Sequence, residues 1–275
     1  MISDRPSVPG LYELGDGVFN FVITGPIQLN AGILVGRDAV AVIDTGTTED
    51  DARSLLAAVA SVTDLPVRYV INTHYHGDHS FGNWRFLPAV VVGHARCRLQ
   101  LVGAEGISHR ELMASHLPMV REQVRAVPLA APTLTFMNNC DVHLGDLDLR
   151  LAYLGRGHTD NDIAIGIEGA DVVFAGDLIE SSGPPVASES FPAEWGATLR
   201  KLGAPMVDRY VPGHGNAVDT MFVSRQAQAF ETLATTCAEA GNAADAMHAI
   251  PQSVFDVLEF QTAAAVKRYF ETAGG

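Results

Sequence analysis

Short apolar runs alternate with turn residues as far as Thr220, and from there the chain reads as helical. Most runs have strand length and are rich in Val and Ile, and Gly, Asp and Asn punctuate them. Residues 11–23 read as short strands around the turn Gly15-Asp16-Gly17. Asn30–Gly36 and Ala39–Asp44 read as a hairpin over Arg37-Asp38. Thr48, with Asp51 three residues on, is a capping-box variant, and Ala52, Leu55, Leu56 and Val59 then recur at helical spacing. Val67–Ile71 and Val90–Gly93 are further strands. Residues 94–126 read as helical, broken near Gly103–Ser108 and by Pro118.

The second half repeats the alternation. Thr133–Phe136 is a strand, and Val142–Leu144 with Leu147–Leu151 is a hairpin over Gly145-Asp146. Ile163–Ile167 and Val172–Ala175 make another, ending at Gly176-Asp177. Pro192–Leu202 is a helix with Pro at its start, and Val207–Val211 is a strand. The last helices span 220–240, 241–248 and 252–271. Arg-Tyr-Val occurs at 68–70 and again at 209–211, each time shortly before a His, a faint echo that fits a fold of two similar halves.

With 275 residues and 47% hydrophobic content, the chain can bury a sizeable core. The net charge of −14, without any Lys/Arg cluster, argues against a nucleic-acid partner, which needs a basic footprint. Cys97, Cys140 and Cys237 are odd in number, widely spaced and without Cys-x-x-Cys, so no disulfide scaffold is expected. Met1–Pro6 lacks the apolar core of a signal peptide, and no run reaches the ~20 apolar residues of a membrane helix. The expectation is a cytoplasmic protein with a small-molecule substrate and no membrane partner. The last helix could pack on the core or on a second copy in a homo-oligomer.

Candidate chemistry concentrates in His74-Tyr75-His76-Gly77-Asp78-His79, directly after the strand 67–71. A helical metal motif places two His at i and i+4. Here the donors fall at i, i+2, i+4 and i+5, so a loop is expected to present them, with Gly77 allowing a sharp turn. His74 and His76 can point the same way from an extended backbone, while Asp78 and His79 lie past the turn. That arrangement points to two metals side by side.

The run His-x-His-x-Asp-His after a strand resembles the signature of the metallo-β-lactamase-fold hydrolases. Other pieces stand in the family's order: Val42-Ile43-Asp44-Thr45-Gly46, Gly157-His158-Thr159, Gly176-Asp177 and Gly213-His214-Gly215. The resemblance runs from about Gly17 to about Val218. It implies a four-layer αββα sandwich of the α/β class. Residues 1–275 are then one domain, with a helical insert near 94–126 and extra helices near 241–275. It further implies that His74, His76 and His158 hold one metal, that Asp78, His79 and His214 hold the second, that Asp177 bridges both, and that Asp44 supports the metal loop.

The implied cofactors are two Zn2+, although Fe or Mn suit the same His and carboxylate donors. Three imidazoles leave zinc an open position, and a bridging carboxylate sets two metals roughly 3.5–4 Å apart. A shared hydroxide, formed because zinc lowers the pKa of its water toward ~7, is then the expected nucleophile. Asp78 is the expected catalytic residue, orienting the hydroxide and carrying a proton to the leaving atom.

The stretch Gly157–Ile167 resembles zinc β-lactamases more than thioester hydrolases. The β-lactamases most like it, however, carry Cys in place of Asp177 and a substrate-binding Lys in place of Glu180. A carboxylate there should repel an anionic substrate, so β-lactamase activity is expected to be weak. The main expectation is hydrolysis of an ester, lactone, thioester or amide bond. The alternative is an iron-dependent persulfide dioxygenase on the same fold. Such enzymes use one iron and need the first three-ligand site at most, whereas this chain carries all seven donors.

Overall fold

A computed structural model describes residues 10–204 and 207–272, and the reading of Met1–Pro6 lies outside the described residues. β1 (Leu11–Gly15), β2 (Val18–Thr24), β3 (Gln28–Val35), β4 (Val40–Ile43), β5 (Val67–Ile71), β6 (Val90–His94) and β7 (Leu134–Phe136) form one sheet in sequence order. Tight turns join β1 to β4, which therefore pair antiparallel. From β4 to β7 the pairing is parallel, which requires longer crossovers.

The first crossover is the helix Glu49–Val62. Its predicted capping box is complete: the Thr48 side chain accepts from Asp51 N, and the Asp51 carboxylate accepts from Thr48 N. The helix buries Ala52, Leu55, Ala58 and Val59 in a core with Ile23, Leu29, Ile33, Val40, Val42 and Val70. Each Val, Leu or Ile side chain among them contributes about 1.5–3 kcal/mol on burial. The parallel register pairs Ile43 with Ile71, so Asp44 and Asn72 leave the sheet side by side at its carboxyl edge. In parallel sheets that edge is where ligands bind.

The second sheet has the order β12-β11-β10-β9-β8, from β8 (Asn139–His143), β9 (Asp148–Tyr153), β10 (Ile163–Ile167), β11 (Val172–Glu180) and β12 (Arg209–His214). β8 and β9 are the expected hairpin. β11 and β12 run parallel, with the helix Pro192–Gly203 in the connection between them. The chain divides into two compact units. One takes the residues up to Ala152 together with Ile165–Asp171, and the other takes Tyr153–Ala164 and everything from Val172 onward. In the second unit, Trp195 and Leu199 pack with Phe230, Leu233, Val254 and Val266.

Several boundaries differ from the expectation. β11 does not end at Gly176-Asp177 but runs on to Glu180. Its register slips on both sides of Gly176, whose φ of 53° bulges the strand and re-aims Asp177. The insert breaks at Val102, which is extended, and not across 103–108. Gly103 takes φ 63° and already begins the helix Gly103–His116. The expected helix 252–271 is split by Glu259 at φ 44° into Gln252–Leu258, a short 3-10 turn and Thr262–Thr272. The Thr262 hydroxyl bonds the Glu259 carbonyl and stabilises that kink. Among the described residues, no helix is long and apolar enough to cross a membrane.

Candidate metal centre

In the first unit, His74, His76, Asp78 and His79 are brought together just beyond β5. The His74 ring lies 4.7 Å from that of His76 and 4.1 Å from that of His79. Asp78 Oδ2 is 3.5 Å from His79 Nε2. His74, Asp78 and His79 are buried, and His76 is partly exposed. The expected loop is in part a helical turn, Gly77–Ser80, which carries Asp78 and His79. Gly77 is not there for a left-handed backbone. A Cβ at that position would meet the Phe81 ring at 2.6 Å, so the requirement is close packing.

A buried hydrogen-bond network fixes this loop from beneath. Asp44 Oδ1 accepts from Thr73 N at 2.8 Å. Asp44 Oδ2 accepts from the Thr73 hydroxyl at 2.7 Å and from His79 Nδ1 at 2.7 Å. Having given its proton to Asp44, the Thr73 oxygen accepts from His74 Nδ1 at 3.1 Å. Both imidazoles therefore carry their proton on Nδ1, which leaves the Nε2 lone pair to face the other way. Asp44 takes up φ 56°, a strained backbone that Asp tolerates better than most residues. Supporting the loop and turning the chain are thus the same job for Asp44.

A second clamp involves residues to which sequence reasoning gave no role. Asn72 and Asn83 are fully buried and exchange side-chain hydrogen bonds of 3.0 and 2.7 Å. Asn72 Nδ2 also bonds the His79 carbonyl, as does Thr45 N. The Thr45 hydroxyl bonds Asn83. The only hint in sequence is that Asn72 and Thr73 are polar at the end of a buried strand.

In the second unit, His158, Asp177 and His214 are brought together. Asp177 Oδ2 lies 3.5 Å from His158 Nε2, and Asp177 Oδ1 lies 3.5 Å from His214 Nε2. The carboxylate thus shows one oxygen to each imidazole. His158 Nδ1 donates to the Val186 carbonyl at 3.2 Å, so its Nε2 is again the donor left for a metal. Asp162 holds the turn after His158: its carboxylate accepts from Thr159 N at 2.8 Å and from the Thr159 hydroxyl at 2.6 Å. Trp195 packs beside His158 with ring centroids 5.9 Å apart, and its Nε1 is held by the Leu178 carbonyl.

Glu180 occupies the end of β11, opposite His214 in the register. Its carboxyl accepts from Val186 N at 3.3 Å and from Ser182 Oγ at 3.4 Å. Burial, reinforced by the nearby Asp177 carboxylate, pushes its pKa up to about 7 in the metal-free protein.

The family model for the metallo-beta-lactamase superfamily matches residues 24–214. The metallo-beta-lactamase type 2 of Bacteroides fragilis is 23% identical over 239 residues, covering 82% of this chain and 86% of that protein. The linear primary-alkylsulfatase of Pseudomonas sp. (strain ATCC 19151) is 25% identical over 215 residues. That match covers 66% of this chain but only 40% of the sulfatase, so the chain spans less than half of that relative. Among solved structures, a metallo-beta-lactamase from Pontibacter korlensis superposes with a TM-score of 0.62 at 17% identity, covering 79% of this chain and 98% of its own. At that identity the likeness shows the fold, two sheets flanked by helices.

Proposed function

We propose, for a chain that belongs to the metallo-beta-lactamase superfamily, a binuclear zinc hydrolase that cleaves an ester, lactone, thioester or amide bond of a small molecule. His74, His76, His158 and Asp177 are the donors for one ion, and Asp78, His79 and His214 are the donors for the other. Asp177 is shared between them. The observation that carries this reading is the Asp177 carboxylate, with one oxygen toward His158 and the other toward His214. The donor chemistry fits zinc: imidazoles whose Nδ1 is already hydrogen-bonded, plus carboxylates, are its usual ligands.

Bound divalent ions supply a water acidified toward neutral pH and a Lewis acid for the scissile group. The chain's own residues do the rest. The Asp44–Thr73 network holds the His74 and His79 rings by Nδ1, so that Nε2 is turned away from it. Asp78 orients the attacking water and carries its proton to the leaving atom. The sulfatase relative adds sulfate esters to the substrates worth testing. The test is a hydrolysis screen over lactones, thioesters, carboxylic and sulfate esters and β-lactams, with wild type and Asp78→Ala compared at matched metal content. Turnover that is lost in Asp78→Ala supports the reading. Full turnover by that variant with full metal content contradicts it.

A further inference from the structure

The insert carries three histidines in three different settings. His94 caps the helix Ala95–Leu101, with Nδ1 accepting from Arg96 N at 3.3 Å and Nε2 donating to the Met137 carbonyl at 3.1 Å. Both of its nitrogens serve the local backbone. His116 is exposed at the end of the helix Gly103–His116. His109, in the middle of that helix, lies against the donor loop. Its ring stacks on His76 with centroids 5.7 Å apart and planes within 19°. It also meets Tyr75 edge-on at 4.9 Å and Phe81 at 5.6 Å. Tyr75 in turn stands edge-on to His76 at 4.5 Å.

We propose that His109 is a positioning residue for His76, holding its imidazole by ring stacking in the orientation that binds metal. This rests on the reading of His76 as a ligand. Of the four donors on the loop, His76 is the one that is partly exposed, so it has the most room to turn toward solvent. His74 and His79 are held by hydrogen bonds to Thr73 and Asp44, and the His76 ring packs against both Tyr75 and His109, which also touch each other. Offset stacking at this separation is favourable, and it excludes the rotamers that would cross the His109 ring. A side chain already ordered before binding loses less entropy when the ion arrives.

The helix that presents His109 is itself fixed. One turn further on, Met113 packs with Ala114, Leu101, Val124 and Val127 in a core that also takes in Tyr75, Phe81 and Trp84. The donor loop and the insert therefore share one core, and His109 is held at a set height above His76.

The test is titration of the metal-stripped protein with Zn2+, and with Co2+ followed by its absorption spectrum. Wild type, His109→Ala, His109→Phe and His76→Ala are compared. His109→Ala is expected to weaken one of the bound ions by about tenfold or more and to alter the Co2+ spectrum of that site. His109→Phe, which keeps a ring and loses the nitrogens, is expected to restore most of the affinity. If His109→Ala does not fold, His109→Gln takes its place. Wild-type affinities and an unchanged spectrum in the ring-less variant would overturn the assignment. So would a His109→Phe protein as weak as the ring-less one. If His76→Ala keeps both ions at wild-type affinity, the ligand reading itself fails, an outcome distinct from a silent His109.

Discussion

Asp44 Oδ2 lies 2.7 Å from His79 Nδ1, with both side chains almost completely buried. The same oxygen takes the Thr73 hydroxyl proton, so one carboxylate sets the tautomer of His79 directly and that of His74 through Thr73. The orientation of both imidazoles is thus decided at the end of a neighbouring strand.

Asp44→Asn tests that relationship. Asn tolerates the left-handed backbone at φ 56° as well as Asp does, so the fold should survive. The amide has one oxygen acceptor where the carboxylate has two, so the three donors cannot all be satisfied. Metal affinity should fall by about 10–100-fold, as for other partners of ligand imidazoles. Calorimetric metal titration reads this out. Unchanged affinity would mean that Asp44 only turns the chain.

Gly157 stands directly before His158. A Cβ there would meet Leu178 Cδ2 at 2.5 Å and the Trp195 ring at 3.0 Å, both in fully buried side chains. Gly157→Ala should cost about 1–3 kcal/mol, the range for overpacking a tight core. Urea denaturation measures the loss, and metal affinity should fall with it because His158 must shift.

The alternation of apolar runs located every strand described here, and the His-rich run located the donor loop. What stayed hidden has physical reasons. The extension of β11 past Asp177 depends on a bulge at Gly176, and one residue letter does not distinguish a bulge from a strand end. Asn72 and Thr73 mark only the end of a strand, and Asn83 is an ordinary polar letter in the sequence. Only their complete burial shows that they form a clamp. The pKa of Glu180 depends on the depth of its burial, which sequence does not encode. His109 is one of three histidines in the insert, and only the fold places its ring on that of His76.

Glu180 predicts a pH dependence in the metal-stripped protein. Its folded pKa of about 7 lies above its ordinary value, so between those two pH values the folded state holds the proton that the unfolded chain has lost. Its contribution to stability therefore declines as pH rises through that window and levels off above about 7. Glu180→Gln removes the penalty. The variant should gain on wild type by about 2 kcal/mol on going from about pH 5 to about pH 8, after allowance for partial solvent screening. Denaturation curves at the two pH values check it. An equal difference at both would place the Glu180 pKa in the ordinary range.

Thr48→Ala removes one half of the capping box of the helix Glu49–Val62. The expected loss is about 1 kcal/mol, with metal stoichiometry unchanged because Thr48 touches no donor. A parallel denaturation and metal assay separates the two effects.

On the proposed reading this chain holds two catalytic ions. Elemental analysis of protein purified without added metal tests it most directly. About two zinc per chain is the predicted result, with loss of metal in Asp177→Ala. About one iron per chain, with oxygen consumed in the presence of a persulfide, would contradict it, as would a chain that retains no metal at all.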